Sequence, residues 1–384
     1  MSQVPFRSCY FSLMPAPTVS AASFIVPELD TWRPDVELPL EEALPASWDS
    51  DYTETYNQPF QPVKFWRSAN VIAHFVQRNE GTSEADAAMT LLRRLIERLH
   101  EFVVEADGCS WVENRFDFEQ TGVHIPGPWY GGLSNAFAIL GLRRCLDALG
   151  NSDSEECDAL RRLVRSLADA YRAPFVEGQG GPERWISFVC DEGNLWFEEY
   201  PMPGGRPNLV LNGHIFALHA LNEARNIWPK DGYAMLINAG ALSVAERFPE
   251  FQRVGKVNIY SLRGPRKSDY MPFRTVRQQF ELFLLTGDDR FLSNAMRTSV
   301  DISQSVDPSR LRRVVDEGTK VINQRLRFDE RVRRRRMEAG LDAAPLRPEV
   351  VPAFQPKPGL AQKLMTLRGL LRVGRRLRQR RQGS

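Results

Sequence analysis

The sequence predicts a mainly α-helical fold: helical hairpins closed into a ring, with short β-hairpins in the loops. Three observations lead there. Apolar residues recur at helical spacing in successive segments of about 15 residues. Between those segments lie loops rich in glycine, aromatic and polar residues. Strand-like stretches are too few and too short to build an α/β sheet.

Residues 1–62 carry prolines throughout, among them Pro5, Pro15, Pro27, Pro34, Pro45 and Pro59, so an extended arm is expected there rather than long helices. The texture changes from Ala69, where Val71, Ile72, Phe75 and Val76 take helical spacing. Ser83 offers an N-cap with Asp86 three residues on, opening a helix that runs to about Val104. Trp111–Ile125 alternates enough for a hairpin or extended loop. The Pro- and Gly-rich loop 126–135, which carries Trp129-Tyr130, feeds a helix over Asn135–Leu149, and a second spans Ser154–Tyr171. Ile186–Phe197 reads as paired short strands around the turn Asp191-Glu192-Gly193-Asn194. Helices follow over Asn212–Ile227, Asp231–Phe248, Val276–Leu285 and Asp288–Val306, with Lys256–Tyr270 extended.

The chain therefore divides into an arm (1–62), a helical body (63–308), a charged region with a Pro-rich linker (309–359) and a basic amphipathic tail (360–384). The formal net charge of +2 hides an asymmetry: eight Lys/Arg and no acid fall within residues 361–384, leaving −6 for the rest. Leu364, Leu367, Leu370, Leu371, Val373 and Leu377 alternate with those arginines. A solvated tail, a helix on an anionic membrane and a polyanion-binding segment all fit that pattern. Nucleic acid is not expected, because no reading module or aromatic interleaving accompanies the charge. Five scattered cysteines without CxxC spacing argue against a disulfide framework or a zinc site, and fit buried thiols in a reducing compartment. No signal peptide or membrane-spanning run is read, so a cytoplasmic location is expected, with the tail as a route to the inner membrane face.

The chemistry concentrates at Trp196-Phe197-Glu198-Glu199-Tyr200-Pro201, followed by Leu209-Val210-Leu211-Asn212-Gly213-His214. Taken alone, a Glu-Glu-Tyr segment is usually surface, Tyr260 is a core-edge tyrosine, and His214 and His219 are satisfied core histidines. Four blocks in register change that reading: Trp196–Pro201, Val210-Leu211-Asn212-Gly213, Ile259-Tyr260-Ser261-Leu262-Arg263 and Asp269-Tyr270. Together with the loop Pro128-Trp129-Tyr130-Gly131-Gly132-Leu133-Ser134-Asn135 they resemble the C-terminal domain of D-glucuronyl C5-epimerases over about residues 105–300. The resemblance implies an (α/α) toroid or incomplete barrel, with Glu199, Tyr260 and Tyr270 catalytic. It implies Arg263 as the carboxylate-binding residue, and Tyr200 and Asn212 as substrate contacts. Within the first block Glu198 is expected to point to solvent. Asn135 falls where the family has a loop glutamine, and Trp129 is placed to stack on a sugar. Departures accompany the resemblance: Phe216 replaces a tyrosine, and Met271-Pro272-Phe273-Arg274 replaces a His-rich run. The family's large N-terminal β-sheet domain has no room in the first 60 or so residues.

The residue types suit the implied reaction. Inverting C5 of a uronate removes a carbon-bound proton α to a carboxylate, so charge develops on the carboxyl group, where an arginine fork can neutralise it. A base and an acid must then serve opposite faces of the ring. A tyrosine, with an ordinary pKa of about 10, needs a neighbouring cation or proton acceptor to act as base. Glu199 and Tyr260 are candidates for the two faces, with Tyr270 polarising the carboxyl or glycosidic oxygen. No cofactor or metal is expected. The partners expected are a uronate-containing polysaccharide or glycan, an anionic membrane surface through residues 360–384, and a second copy in a homodimer. Two other classes stay open: a uronate lyase using the same proton abstraction, and a non-catalytic glycan-binding or assembly protein. Deleting residues 361–384 is expected to release the protein from anionic vesicles while soluble activity persists; vesicle binding that survives the deletion rules out the membrane reading.

Overall fold

The computed structural model describes residues 6–9, 11–14, 62–120, 123–176, 183–190, 192–263 and 270–339. Among these the chain is mainly helical. Helix α1 (Pro62–Arg78) buries Phe65, Trp66, Ala69, Ile72 and Val76, and starts seven residues before the periodicity becomes visible in the sequence. The α2 helix (Ser83–His100) is capped by Thr82 rather than Ser83: the Thr82 hydroxyl accepts the Ala85 N–H at 3.2 Å. It ends at His100, and Val103 and Val104, expected to close that helix, open strand β1 (Val103–Ala106) instead. Its β-branched valines pair with β2 (Cys109–Asn114), Val104 facing Trp111.

The remaining helices follow the expected order. They are α3 (Gly132–Ala148), α4 (Glu155–Asp169, with Ser154 capping the Cys157 N–H), α5 (Leu211–Ile227), α6 (Tyr233–Phe251), α7 (Pro272–Thr286), α8 (Asp289–Ile302) and α9 (Pro308–Glu338). Each of α1, α3, α5 and α7 is followed by an antiparallel partner, giving four hairpins. Helix α1 lies against α3 and α3 against α5, forming an inner row, while α2, α4 and α6 back it. The layers differ in how they bury. Helices α3 and α5 are buried around nearly their whole circumference, whereas α2, α4 and α8 bury a single stripe. One large apolar cluster runs through the inner row, and a smaller one joins α7, α8 and α9.

The strands are short and sit in the loops. β3 (Phe118–Gln120) pairs with β4 (Val123–Ile125), and β5 (Trp129–Tyr130) adds to β2. β6 (Phe175–Val176), β7 (Ser187–Val189) and β8 (Leu195–Phe197) form a three-stranded sheet in which Phe188 faces Trp196.

The described part of the N-terminal arm wraps the body. Arg7 pairs with both carboxylate oxygens of Glu246 on α6 at 2.7 Å, and the Met14 N–H donates to the Leu285 carbonyl at 2.9 Å. Helix α9 occupies the first part of the segment read as a charged region and linker. It lays Val314, Gly318, Val321 and Arg325 against α7, and the Arg325 guanidinium donates to the terminal carbonyls of Leu284 and Leu285 at 3.0 Å. Arg331–Arg335 form the exposed end of that helix. The Pro-rich linker from residue 345 and the basic tail lie outside the described residues. Cys9, Cys145, Cys157 and Cys190 are buried free thiols, and Cys109 is half-buried. No helix among the described residues is long and apolar enough to cross a membrane.

Contact between α1 and α3 depends on Gly141, where a Cβ would stand 2.3 Å from Phe65 Cε1 and 3.2 Å from the Trp66 Cα. Gly141→Ala gains about 1 kcal/mol of helix propensity and loses about 1–3 kcal/mol to overpacking. A lowered urea midpoint is expected; a raised one shows that α1 can shift freely.

Candidate active site

Strand β8 delivers the chain into the site. Trp196 and Phe197 both stack on His214 of α5, with ring centroids at 4.1 and 5.2 Å. His214 Nδ1 accepts the Phe197 N–H at 2.8 Å, and Nε2 faces the Gly240 carbonyl at 2.9 Å, so the ring is neutral with its proton on Nε2. Burial pushes its pKa down to about 3. This histidine is a core strut, as the sequence implied.

The next residue organises the loop. Glu198 is 0 % exposed. Its Oε1 accepts the N–H groups of Glu199 (3.0 Å) and Tyr200 (3.3 Å), and its Oε2 accepts those of Asn208 (2.8 Å) and Leu209 (2.9 Å). The expectation that this side chain points to solvent is thereby corrected: one carboxylate staples residues 198–200 to 208–209. Leu209, at the end of that staple, sits at φ +55°, a left-handed conformation costly for a residue with a side chain. Segment 208–211 then runs antiparallel to 260–263, with Leu211 N–H donating to Tyr260 O and Leu262 N–H to Leu209 O, both at 3.3 Å. That pairing fixes Tyr260 opposite Glu199.

Glu199 is 1 % exposed and lies at the N-terminus of α5. Its Oε2 accepts the Gly213 N–H at 2.8 Å, and its Oε1 accepts the Tyr260 hydroxyl at 2.8 Å. The Tyr200 hydroxyl bonds to it as well. The approach to α5 is so close that a Cβ on Gly213 would fall 2.4 Å from the Glu199 Cβ. Beside this dyad the Tyr270 hydroxyl is shared between Asn212 Oδ1 and Gln278 Oε1, each at 2.8 Å, and Gln278 Nε2 donates to Asn212 Oδ1 at 3.1 Å. The rings of Tyr260 and Tyr270 stand 5.6 Å apart. An aromatic wall closes one side: Tyr200 stacks on Phe118 at 4.9 Å and leans on Trp129 at 6.0 Å.

The electrostatics separate acids from bases. Burial raises the Glu199 carboxyl above its ordinary value, while the Tyr200 and Tyr260 hydroxyls, the Gly213 N–H and the Arg274 charge pull it back. Glu198 is pushed up to about 7 by burial, against the backbone donors that favour its charged form. Tyr260 and Tyr270 are both raised, first by burial, and Glu199 adds to each. At neutral pH the phenols hold their protons, and Tyr260 donates its proton to Glu199.

Of the residues expected at the site, Glu199, Tyr200, Asn212, Tyr260 and Tyr270 converge on this cluster. Trp129 forms its wall, with the indole N–H donated to the Phe116 carbonyl at 3.0 Å. Asn135 does not join them. It is 0 % exposed, and its amide serves the backbone of β2 and α4 through Val112 N–H (2.9 Å), Ser110 O (3.3 Å) and Leu167 O (3.2 Å). Arg263 is exposed, and its charge acts on the Glu192 carboxylate. Phe216, where a tyrosine was missing, packs against Trp66 and Phe137 at 5.8 and 4.9 Å. Sequence reasoning missed Gln278 and Arg274, both on α7. Arg274 was visible only as part of an altered flank after Tyr270. Among the described residues no group of His, Cys, Asp and Glu is arranged to hold a metal ion.

Glu198→Gln turns an amide nitrogen toward two of the four backbone donors. Each hydrogen bond to a charged group contributes about 1.5–3 kcal/mol, so a loss of at least about 3 kcal/mol in urea unfolding is expected. A loss below about 1 kcal/mol would show that water or another group replaces the staple.

Residues 110–297 match the family described as D-glucuronyl C5-epimerase C-terminus, and the match spans β8, Glu199, Tyr260 and Tyr270. Among solved structures, that of a cellobiose 2-epimerase from Bacillus thermoamylovorans B4167 is similar at 11% identity, covering 75% of this chain and 74% of that chain with a TM-score of 0.45. No curated protein matches the chain. Through residues 110–297 the chain belongs to the D-glucuronyl C5-epimerase C-terminus family.

Proposed function

We propose that this protein is a carbohydrate epimerase that inverts C5 of D-glucuronate residues to L-iduronate in a heparosan-like polysaccharide or glycan precursor, on an (α/α) toroid completed from the four hairpins. The observation that carries the reading is the Tyr260–Glu199 hydrogen bond of 2.8 Å beside a second phenol, Tyr270, held by Asn212 and Gln278.

Glu199 and Tyr260 touch, so they serve one face of the sugar together rather than one face each. Glu199 accepts the Tyr260 proton as the phenolic oxygen takes the proton from C5, which supplies the assistance a tyrosine base requires. Charge that develops on the substrate carboxylate is met by the cationic side of the site. Tyr270, protonated and on a different segment, returns a proton from the other face. Tyr200 supports the Glu199 carboxylate and offers an aromatic surface to the sugar. Gly213 and the N-terminus of α5 favour the charged form of Glu199, while burial keeps it basic.

The test is incubation with heparosan in deuterated water. Deuterium at C5 with retention of the polymer is the expected product. An unsaturated, ultraviolet-absorbing end would mean lyase chemistry, and no exchange with any glucuronate polymer would sink the reading. Tyr260→Phe and Glu199→Gln should each lower exchange by about 100-fold or more. The pH profile has a stated sign. A base with a raised pKa loses activity as pH falls through that value, so the acid limb lies above the ordinary glutamate value of about 4.3. The raised phenols give no alkaline limb below about pH 10.

A further inference from the structure

Helices α5 and α7 face each other through paired polar side chains. Asn212, at the start of α5, meets Gln278 at 3.1 Å. Seven residues on, His219 meets Glu281 at 3.3 Å. The two contacts follow the same order along both helices, so α5 and α7 point in the same sense, with Asn212 and Gln278 at the upper level. Arg274 lies one turn N-terminal to Gln278 on the same face of α7. Four residues are a rise of about 6 Å, which carries Arg274 beyond the start of α5, on the side of the site where that helix's N-terminus holds Glu199. The α1 helix reaches that region too. Trp66 packs edge-on against Phe216, one turn below Asn212, and the next residue is the half-buried Arg67.

We propose that Arg274, backed by Arg67, is the pair that binds the substrate's carboxylate, in place of Arg263. The assignment rests on the epimerase reading for the identity of the ligand. Charge effects support the placement: Arg274 lowers Glu199 and Tyr270, and it also lowers Arg67, so each of the three lies within Coulomb reach of Arg274. A planar carboxylate accepting parallel N–H bonds from an arginine fork is the chemistry such a site selects. A carboxylate held there lies beside the phenols that flank C5, and is neutralised where the enolate charge develops. Arg263 lies on the exposed side of segment 260–263, with its influence on Glu192. Arg67 precedes the family-matched residues 110–297, so the site would draw a binding group from a helix outside them.

The experiment separates binding from turnover. Titration calorimetry of the full-length protein uses a heparosan oligosaccharide and the same oligosaccharide with its carboxyls reduced to alcohols. The wild type is expected to prefer the carboxylated form. Arg274→Gln should weaken that form by 10-fold or more and leave the reduced form within about twofold, erasing the preference. Arg67→Gln should show a smaller loss of the same kind. Arg274→Lys, which keeps the charge but not the fork, should fall between and provides the measurement should the glutamine variant not fold. The assignment is overturned by an Arg274→Gln protein that keeps its preference, by Arg263→Gln erasing the preference more than Arg274→Gln does, or by a wild type without preference. A wild type that prefers the carboxylate yet shows no C5 exchange would overturn the epimerase reading and leave this assignment standing.

Discussion

The Glu198 carboxylate is the interaction from which the rest of the site hangs. It collects four backbone N–H groups from two segments that the sequence separates by ten residues. Burying a carboxylate costs several kcal/mol unless its oxygens are met by donors. Here every donor is main chain, so satisfying the charge dictates the path of residues 198–209. That path carries consequences outward. Leu209 is held at positive φ, Val210 and Leu211 pair with 260–262, and Tyr260 is brought to Glu199. The Glu198 carbonyl accepts the Gly132 N–H at 2.9 Å, which ties in the loop that bears Trp129. Gly132 has no room for a side chain, since its Cβ would lie 2.4 Å from that carbonyl oxygen.

Much of this was legible where the cause is local. The helix read from about Ser154 does start there, with Ser154 as its cap, and the turn around Gly193 joins two strands as read. The helices begin and end within a few residues of the periodic pattern, because burial of one stripe leaves a periodic trace. Legibility failed where the cause is distant. The start of α1 is masked by the prolines before it, which look like a continuing arm. The charge run that begins at Arg331 hid α9, whose contact with α7 uses about one residue per turn. The Asn212-Gly213 pair stood out as a helix opening, but the reason for the glycine is the Glu199 side chain pressed against it. Glu198 and Arg274 could not be read at all, since one answers to backbone groups of a folded loop and the other to the packing of α7 beside α5.

The interior beneath the site is polar, which is unusual for the core of a helical body. Glu223 on α5 meets Arg144 at 2.9 Å and Arg143 at 3.4 Å on α3, both of which also bind Asp147, while His219 meets Glu281. Buried charges of this kind contribute little net stability, because desolvation offsets their attraction. They do restrict how helices can slide, since a shift of one turn would separate charges with no water to replace the partner. For α3, α5 and α7 this means the helix ends that carry Gly213, Asn212 and Arg274 are held at fixed heights.

Glu198 and Glu199 are neighbours in the chain, and burial raises both. Their partners divide their roles. Every bond to Glu198 comes from a main-chain N–H, a donor that never releases its proton, so the carboxylate can only hold geometry. Glu199 has one such donor, Gly213, and two phenols whose protons can move. Proton transfer between a carboxylate and a phenol is unfavourable in water, where their pKa values differ by about 6 units. Burial raises Tyr260 as well and so does not close that gap; in the proposed relay the phenol holds a proton at both ends, the net acceptor is Glu199, and burial makes that acceptor stronger. In the reaction we propose, the transfer is short, occurs away from bulk water, and is coupled to removal of the C5 proton. The same burial that makes Glu198 a fixed staple therefore makes Glu199 a usable base, and what distinguishes them is whether their hydrogen-bond donors can give a proton away.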